Sequence, residues 1–368
     1  MDHNNRKILF LTLNTFSSFG GIEDVCKTLC KVLEDLKFNF KVLSMNDYEV
    51  DEKYLNPSNF IGFGQKKLNF GINAIKIGLK YDTIILSHIN LLLFARILKF
   101  FKPSLKIIVY AHGIEVWREL PKWKINFLKK KVEIWAVSSY TSNFMQNEHK
   151  IPSQNFKILN NCLNPFFVPP LNFEKPEYLL RRYKIENNQP ILYTLTRISS
   201  FEKYKGYDIV INILPELIKN FPNLLYIISG KADSDERDRL VKLIKKLKLE
   251  DHVFLTGFIE NAELSDHFLL ANCFVLPSKK EGFGIVFIES AACGCKIIAG
   301  NKDGSKDAIL NGKLGLLVDP DNKNEIFKGI KTILENNQTK NEAEFIQKIC
   351  LEHFSFETYK ANVSALLS

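Results

Sequence analysis

The chain has 368 residues, 46% of them hydrophobic and 25% charged, with a formal net charge of +9. That length exceeds what one hydrophobic core usually organises and points to two domains. No stretch reads as a membrane span: the most apolar one, IILSHINLLLFARILKFF, is broken by His88, Asn90, Arg96 and Lys99.

The N-terminus, MDHNNRKILFLTLN, lacks the long apolar region and small-residue cleavage site of a signal peptide. Seven cysteines, an odd number in no regular framework, suit reduced thiols in a cytosol. The close pairs Cys26/Cys30 and Cys293/Cys295 have no histidine at zinc-site spacing, so no metal is expected there. KILFLTL (7–13) reads as a buried strand, and GGIEDVCKTLCKVLEDL (20–36) as a helix with Val25, Leu29, Val32 and Leu36 at helical spacing. FKVLSM, TIILSH, KIIVYAH and EIWAVSS (133–139) are further strands with helical stretches between most of them. This rhythm predicts a parallel sheet with helices on both faces.

The charge is uneven along the chain. Residues 1–170 hold 23 Lys and Arg against 14 Asp and Glu, whereas the remainder is balanced at 27 and 27. Much of the excess lies in WRELPKWKINFLKKKVEIW (117–135), where apolar residues interleave with lysines. Two readings fit: a solvated helix face over a core, or a patch that meets anionic lipid or an anionic acceptor. No nucleic-acid-binding motif accompanies the charge.

An Asn- and Pro-rich stretch without periodicity, NNCLNPFFVPPLNFEKPEY (160–178), reads as an interdomain connection. Strands then resume at 191–197, 224–230, 252–258, 273–278, 296–300 and 314–319, with helices between, such as ERDRLVKLIKKLKL (236–249). FSFETYKANVSALLS is a predicted final helix. The predicted domains are 1–165 (N-terminal), 166–188 (linker), 189–345 (C-terminal) and 346–368 (a C-terminal helix expected to return to the N-terminal domain). Both domains read as doubly wound α/β. Ligands of such sheets bind beyond the carboxyl ends of the strands, so loops after strands should carry the chemistry.

One of those loops is KKEGFG (279–284), between a predicted strand and the helix GIVFIESAACG. Helix N-terminal amides favour an anion, and Gly282 and Gly284 allow close backbone approach. Glu281 and Glu289 would repel a phosphate, but they can accept hydrogen bonds from hydroxyls beside one. The cations to hold it follow the strand ILYTLTR: Arg197 ends the strand, and Lys205 precedes Gly206, with Lys203 as a competitor. Read alone, these are equally a helix-start acid, a solvated helix acid and two surface cations.

Together, RISSFEKYKGYD, FLTGFIENAELSDHFLLANCFVLPSKKEGFGIVFIESAACGCKIIAG and DGSKDAILNGKLGLLVDP resemble the C-terminal domain of retaining glycosyltransferases of family 4. GGIE (20–23) resembles that family's N-terminal glycine loop and AHGIEVW (111–117) its histidine loop. The resemblance implies a GT-B fold, two Rossmann-like domains facing across a cleft, with acceptor bound by the N-terminal domain and nucleotide sugar by the C-terminal one. Carried onto this chain, it implies that Glu289 binds the nucleotide ribose. Glu281, with the amides of Phe283, Gly284 and Ile285, holds the donor sugar and distal phosphate. Arg197 and Lys205 neutralise the departing diphosphate, Gly20 and Gly21 let the backbone approach it, and His112 lies beside the reacting sugar. His112 also reads as a strand-end histidine satisfied locally, and His88 as a second cleft candidate. The chain departs from the family pattern at Lys296, more often Pro, and at Asn161-Cys162, often Asn-Gly. DSD (233–235) and DPD (319–321) mimic metal-binding triplets, but solvation explains both, so no metal and no cofactor are expected.

The resemblance implies a retaining, metal-independent hexosyltransferase using a nucleotide diphosphate sugar, with GDP-mannose favoured over UDP-sugars. The expected acceptor is a lipid-linked glycan in cell-surface polysaccharide or lipopolysaccharide synthesis. The expected location is cytoplasmic, peripheral to an anionic membrane through the basic N-terminal domain. The rivals are a GT-B epimerase or phosphorylase and a non-catalytic carbohydrate-binding protein. A nicotinamide dehydrogenase is disfavoured, since no Gly-x-Gly-x-x-Gly follows KILFLTL.

Overall fold

The computed structural model describes residues 6–18, 20–336 and 338–368. The chain divides into two compact units, Met1–Phe166 with Ser355–Ser368, and Phe167–Phe354.

The first unit holds seven strands: β1 (Lys7–Thr12), β2 (Asn39–Ser44), β3 (Phe60–Gly62), β4 (Thr83–Leu86), β5 (Lys106–Ala111), β6 (Glu133–Ala136) and β7 (Phe156–Ile158). They pair in parallel in the order β3-β2-β1-β4-β5-β6-β7. Its helices are α1 (Gly21–Asp35), α2 (Lys67–Gly78), α3 (Leu92–Phe101), α4 (Ile114–Trp117), α5 (Lys122–Lys131) and α6 (Ser139–His149). Strands covered on both faces must be apolar at consecutive positions, as in β1, where only Lys7 is exposed. On one face Leu9, Leu11, Ile84, Leu86 and Val109 meet Phe70, Leu98 and Leu128 of α2, α3 and α5. The strand order reverses beside β1, whose Phe10 aligns with Val42 of β2 and Ile85 of β4.

The second unit repeats the design with β8 (Ile191–Leu195), β9 (Leu225–Ser229), β10 (Val253–Gly257), β11 (Cys273–Leu276), β12 (Ile297–Gly300) and β13 (Leu316–Val318). Their order is β10-β9-β8-β11-β12-β13, so the reversal lies between β8 and β11. Its helices are α7 (Glu177–Tyr183), α8 (Tyr207–Asn220), α9 (Ser234–Lys246), α10 (Leu264–Leu270), α11 (Ile285–Ala292), α12 (Ser305–Ala308), α13 (Lys323–Glu335) and α14 (Lys340–Phe354).

Two stretches differ in detail from the sequence reading. The segment 166–188 contains α7, which docks on the α10 region: Arg182 meets Glu263 at 2.6 and 2.8 Å, and the Tyr183 hydroxyl lies 2.9 Å from His267. The stretch 346–368 is not one helix. Its first part ends α14, where Phe354 packs on Phe283 and Cys350 approaches the Ile288 carbonyl. Ser355 then caps a separate last helix, α15 (Phe356–Leu367), by accepting the Thr358 amide. This helix belongs to the first unit, and its Tyr359 hydroxyl sits 2.9 Å from that of Tyr110.

Candidate active site

In the second unit the loops after β8, β11 and β12 interlock around Glu281. The Lys205 ammonium reaches Glu281 Oε1 at 2.5 Å, with both side chains largely buried, at 15% and 13% exposure. Lys203, the competing cation, is exposed. Gly206 follows Lys205 with φ +82° and lies against the Pro277 carbonyl, where a Cβ would come within 2.6 Å. Glycine alone takes that conformation without strain. The Lys279 amide donates to the Tyr204 carbonyl at 3.0 Å, joining the two loops again.

Arg197 stands on the same loop, is 64% exposed, and pairs with Glu202 at 3.3 Å. Tyr204 lies among these charges. Its phenol is pushed upward by burial and by Glu202 and Glu281, with Arg197 opposing. The other side of this loop is tied down by Asp233, which accepts the Ser200 amide at 2.8 Å while capping α9 through the Glu236 amide. These bonds hold the Asp233 carboxyl below its ordinary range. Asp319 and Asp321 are engaged by Lys302 at 2.7 and 2.8 Å, and Asp321 also by Lys279.

The third loop supplies a residue the sequence reading passed over. Asp303 is fully buried, accepts the Glu281 amide at 2.7 Å and the Ser305 amide at 3.0 Å, and so fixes the glutamate's backbone. The Gly304 amide returns a bond to the Glu281 carbonyl at 2.8 Å. Burial and the charge of Glu281 raise the Asp303 carboxyl to about 7. The signal in the sequence was an Asp-Gly pair just after a strand.

Gly284, at φ +89°, opens α11, and a Cβ there would strike the Phe287 ring at 2.5 Å. α11 begins at Ile285, and the Phe287 amide donates to the Gly284 carbonyl at 3.1 Å. Phe283 is turned into the core, where it packs on Phe354. Glu289 lies half-buried on α11; the Tyr193 phenol is raised chiefly by its own burial, with the Glu289 charge a minor contributor. The second unit thus brings Glu281 and Lys205 into contact. Arg197 sits on the same loop as Lys205, and Glu289 on the helix that follows Glu281.

In the first unit Gly20 caps α1 and Gly21 begins it. The loop before them is held by Asp47, fully buried, which accepts the amides of Thr15 at 2.7 Å and Ser17 at 2.8 Å and the Ser44 hydroxyl at 2.5 Å. Asp47 was also missed, because an acid after a strand reads as an ordinary turn residue. A cavity of about 670 Å³ lies over the carboxyl ends of β1 to β3, lined by Asn14, Ser17, Asn46, Tyr48, Gln65 and Lys67.

His112, at the end of β5, is buried, and its ring stacks on Tyr110 at 5.5 Å. Its Nε2 lies 2.8 Å from the Ser87 carbonyl, which can only accept, so Nε2 carries the proton. Burial lowers this histidine to about 4, leaving Nδ1 as an acceptor at neutral pH. His88 is also lowered to about 4, first by burial, and its Nδ1 accepts the Asn90 amide at 3.0 Å. Glu115, not singled out from sequence, accepts the His112 amide at 2.5 Å and is pushed up by burial.

Two doubly wound parallel sheets, with a lysine–glutamate contact between the loops after β8 and β11, define a GT-B α/β protein. The fold is that of an Anabaena protein crystallised with UDP and glucose (TM-score 0.79, 20% identity, 98% of this chain and 99% of that one). It is equally that of a glycosyltransferase from Rickettsia africae (TM-score 0.81, 19% identity, 99% and 98%). Residues 181–349 match the model of the family described as glycosyl transferases group 1. Among sequence relatives, an N-acetylgalactosamine-N,N'-diacetylbacillosaminyl-diphospho-undecaprenol 4-alpha-N-acetylgalactosaminyltransferase of Campylobacter jejuni is 26% identical over 87% of this chain and 88% of its own. A GDP-mannose-dependent alpha-(1-6)-phosphatidylinositol monomannoside mannosyltransferase of Mycobacterium tuberculosis is 30% identical over 62% of this chain and 60% of its own. The chain is thus similar to the group 1 glycosyltransferases, through the model match of its second unit and through its sequence relatives.

Proposed function

We propose that this glycosyltransferase is retaining and metal-independent, and that it moves a hexose from a nucleotide diphosphate sugar to a lipid-linked glycan. The observation that carries the reading is the Lys205–Glu281 contact, buried and braced by three loops. A fixed cation beside a fixed carboxylate suits a ligand that is anionic at one end and rich in hydroxyls at the other. In the proposed reaction the bond from the anomeric carbon to the diphosphate oxygen breaks, and the acceptor oxygen bonds to the same face of that carbon. The acceptor's proton passes to the departing phosphate oxygen. Lys205 and Arg197 stabilise the charge that develops there, commonly the largest catalytic contribution. Glu281 and the amides of Phe283, Gly284 and Ile285 hold the donor sugar, and Glu289 holds the ribose. Gly20 and Gly21 admit the diphosphate to the backbone of the first unit. His112, neutral and with Nδ1 unprotonated, accepts a hydroxyl of the reacting sugar.

The donor we favour is GDP-mannose, with UDP-glucose or a UDP-N-acetylhexosamine next. The named dependence of the mycobacterial relatives supports the first and the UDP-bound Anabaena protein the second. A lipid-linked acceptor is supported by the undecaprenol- and phosphatidylinositol-linked substrates in the relatives' names. Surface polysaccharide or lipopolysaccharide assembly, on the inner face of a membrane, is the setting that fits. No further cofactor enters the reaction.

The test is turnover with each nucleotide sugar, with and without a diphospho-lipid glycan and with a chelator added. The reading expects acceptor-dependent nucleoside diphosphate release, an α-linked product by NMR, and no loss on chelation. A β-linked product or an abolished rate in chelator contradicts it. Sugar isomerisation without acceptor would favour an epimerase instead.

A further inference from the structure

We propose that the cavity over the carboxyl ends of β1 to β3 binds an acetamido sugar, the ring of the acceptor that stands behind the reacting one. This names an acceptor of two or more sugars. It rests on the transferase reading for its place in the reaction, and on the first unit alone for the site.

The cavity, about 670 Å³, is of ligand size, and its walls are built in advance. Two loops are sewn to the end of β2 to make it. After β3, the Phe63, Gln65 and Gly64 amides donate to the Ser44, Met45 and Asp47 carbonyls, each at 2.9 Å. After β1, the buried Asp47 carboxylate takes the Thr15 and Ser17 amides, and the Asn46 amide donates to the Leu13 carbonyl at 3.0 Å. Gln65 is held at φ +68°, a left-handed conformation that residues other than glycine seldom take. Its side chain is exposed and lines the cavity. Strain of this kind persists only where the surroundings impose it, commonly beside a binding site.

The lining has the parts that a sugar ring needs. Tyr48 lies across Gly64, where a Cβ would stand 1.9 and 2.0 Å from its ring atoms. Tyr48 is nonetheless 71% exposed, which leaves the other face of its ring to the cavity. Such a face suits the apolar side of a pyranose, while the ring's edge hydroxyls need polar partners. Those are Asn14, Asn46, Gln65 and Ser17. The Asn46 side-chain nitrogen donates to Asn14 Oδ1 at 2.8 Å, so Asn46 Oδ1 is left to accept and Asn14 Nδ2 to donate. Leu13 and Met45, half-buried against the core, supply an apolar floor. An acetamido group matches that combination, with its methyl on the floor and its N–H and C=O on the carboxamides. Among the described lining residues there is no acid and Lys67 is the one cation. One cation facing four neutral polar groups favours an uncharged ligand over a phosphate.

The place of the cavity decides which ring it takes. In the order β3-β2-β1-β4-β5 the cavity lies over the first three strands, whereas His112, assigned above to the reacting sugar, follows β5. From β5 to β2 is three strand spacings, roughly 14 Å, more than one ring spans. The loop after β1 joins the two places. It carries Asn14 and Ser17 of the cavity and leads to Gly20 at the head of α1. Ser18, also in the lining, donates to Glu23 of α1 at 3.0 Å. A glycan with its terminal ring at His112 therefore reaches the cavity with an inner ring.

The first test needs no transfer. It is saturation-transfer NMR of the full chain, without nucleotide, with the methyl glycosides of N-acetylglucosamine, N-acetylgalactosamine, glucose and galactose. An acetyl-methyl signal is expected from at least one acetamido sugar, with the plain hexoses bound about threefold or more weakly. Tyr48→Ala should lower the affinity about three- to tenfold. Gln65→Gly should lower it about two- to tenfold, and it keeps a backbone conformation that glycine takes freely. If a melt shows one variant unfolded, the other is read by the same criterion. The second test is transfer to diphospho-lipid acceptors of one ring and of two. The two-ring acceptor with an inner acetamido sugar should have a KM about tenfold lower, and Tyr48→Ala should narrow that ratio to about threefold or less. No signal from either acetamido sugar, equal binding of the plain hexoses, or undiminished binding in a folded variant overturns the proposal. So does an equal KM for the two acceptors in an active enzyme. Binding as expected with no acceptor glycosylated would sink the transferase reading while the cavity keeps its ligand.

Discussion

Asp303 carries no substrate in this account, yet it sets where Glu281 stands, because the glutamate's amide ends on its carboxylate at 2.7 Å. Burial first, and the charge of Glu281 second, raise its pKa from 3.8 to about 7. The folded chain therefore holds a proton there that the unfolded chain has already released. The stability from this group is complete below about pH 4 and is lost as pH rises through about 7. Asp303→Asn removes that titration. Urea midpoints of wild type and variant at pH 5 and pH 8 should shift in the variant's favour at the higher pH. A gap that stays constant contradicts the buried carboxyl. At this scale the sequence showed the charged groups of the candidate site. Glu281 and Lys205 announce themselves as charges next to glycines in strand-to-helix loops, and Glu289 as an acid on the helix that follows the first of them. Asp303, Asp47 and Asp233 do not, because their partners are backbone amides of other loops, or of loops more than thirty residues away for Asp47 and Asp233. A short acid after a strand looks the same whether it braces a site or meets water.

At the level of elements, the loops after β8, β11 and β12 act as one clasp, and Gly206 and Gly304 make it possible. A Cβ at Gly304 would stand 2.1 Å from the Gly282 carbonyl and 2.9 Å from that of Glu281. Both obstacles are backbone and cannot swing aside. Gly304→Ala should therefore cost about 1–3 kcal/mol and lower turnover as Glu281 is displaced. A variant with wild-type melting and full activity would show that the loops are not so tightly joined. The central strands were legible as consecutive apolar positions, the mark of strands buried on both faces. β3 and β7 were not: FIG and FKI are short and lack the apolar run that made the equally short β13 readable. The exposed apolar side of α3, with Leu93, Phe100 and Phe101, was hidden for a different reason. Sequence shows that residues 92–101 are apolar, but only packing separates the side that the core consumes from the side left outside.

For the whole molecule, two units each close around their own parallel sheet, and the last helix joins the first of them after the chain has built the second. Tyr359, Val363 and Leu367 are buried there, and Arg6 donates to the Leu367 carbonyl at 2.9 Å. A buried side chain of this size contributes about 1.5–3 kcal/mol. Ending the chain at Phe354 should speed hydrogen exchange in β1, β4 and β5 while β8, β9 and β11 keep their protection; equal change in both sets contradicts the division. The two-unit architecture was legible from the strand rhythm that stops near 160 and resumes near 191. The central claim is chemical: a lysine and a glutamate from two loops of the second unit form the heart of a glycosyl-transfer site. The most direct measurement is single-turnover kinetics of Lys205→Ala and Glu281→Ala with nucleotide sugar and acceptor, paired with melting curves. The account predicts that each loses about 10²–10³-fold in the chemical step while remaining folded. Near-normal turnover in both folded variants would contradict it.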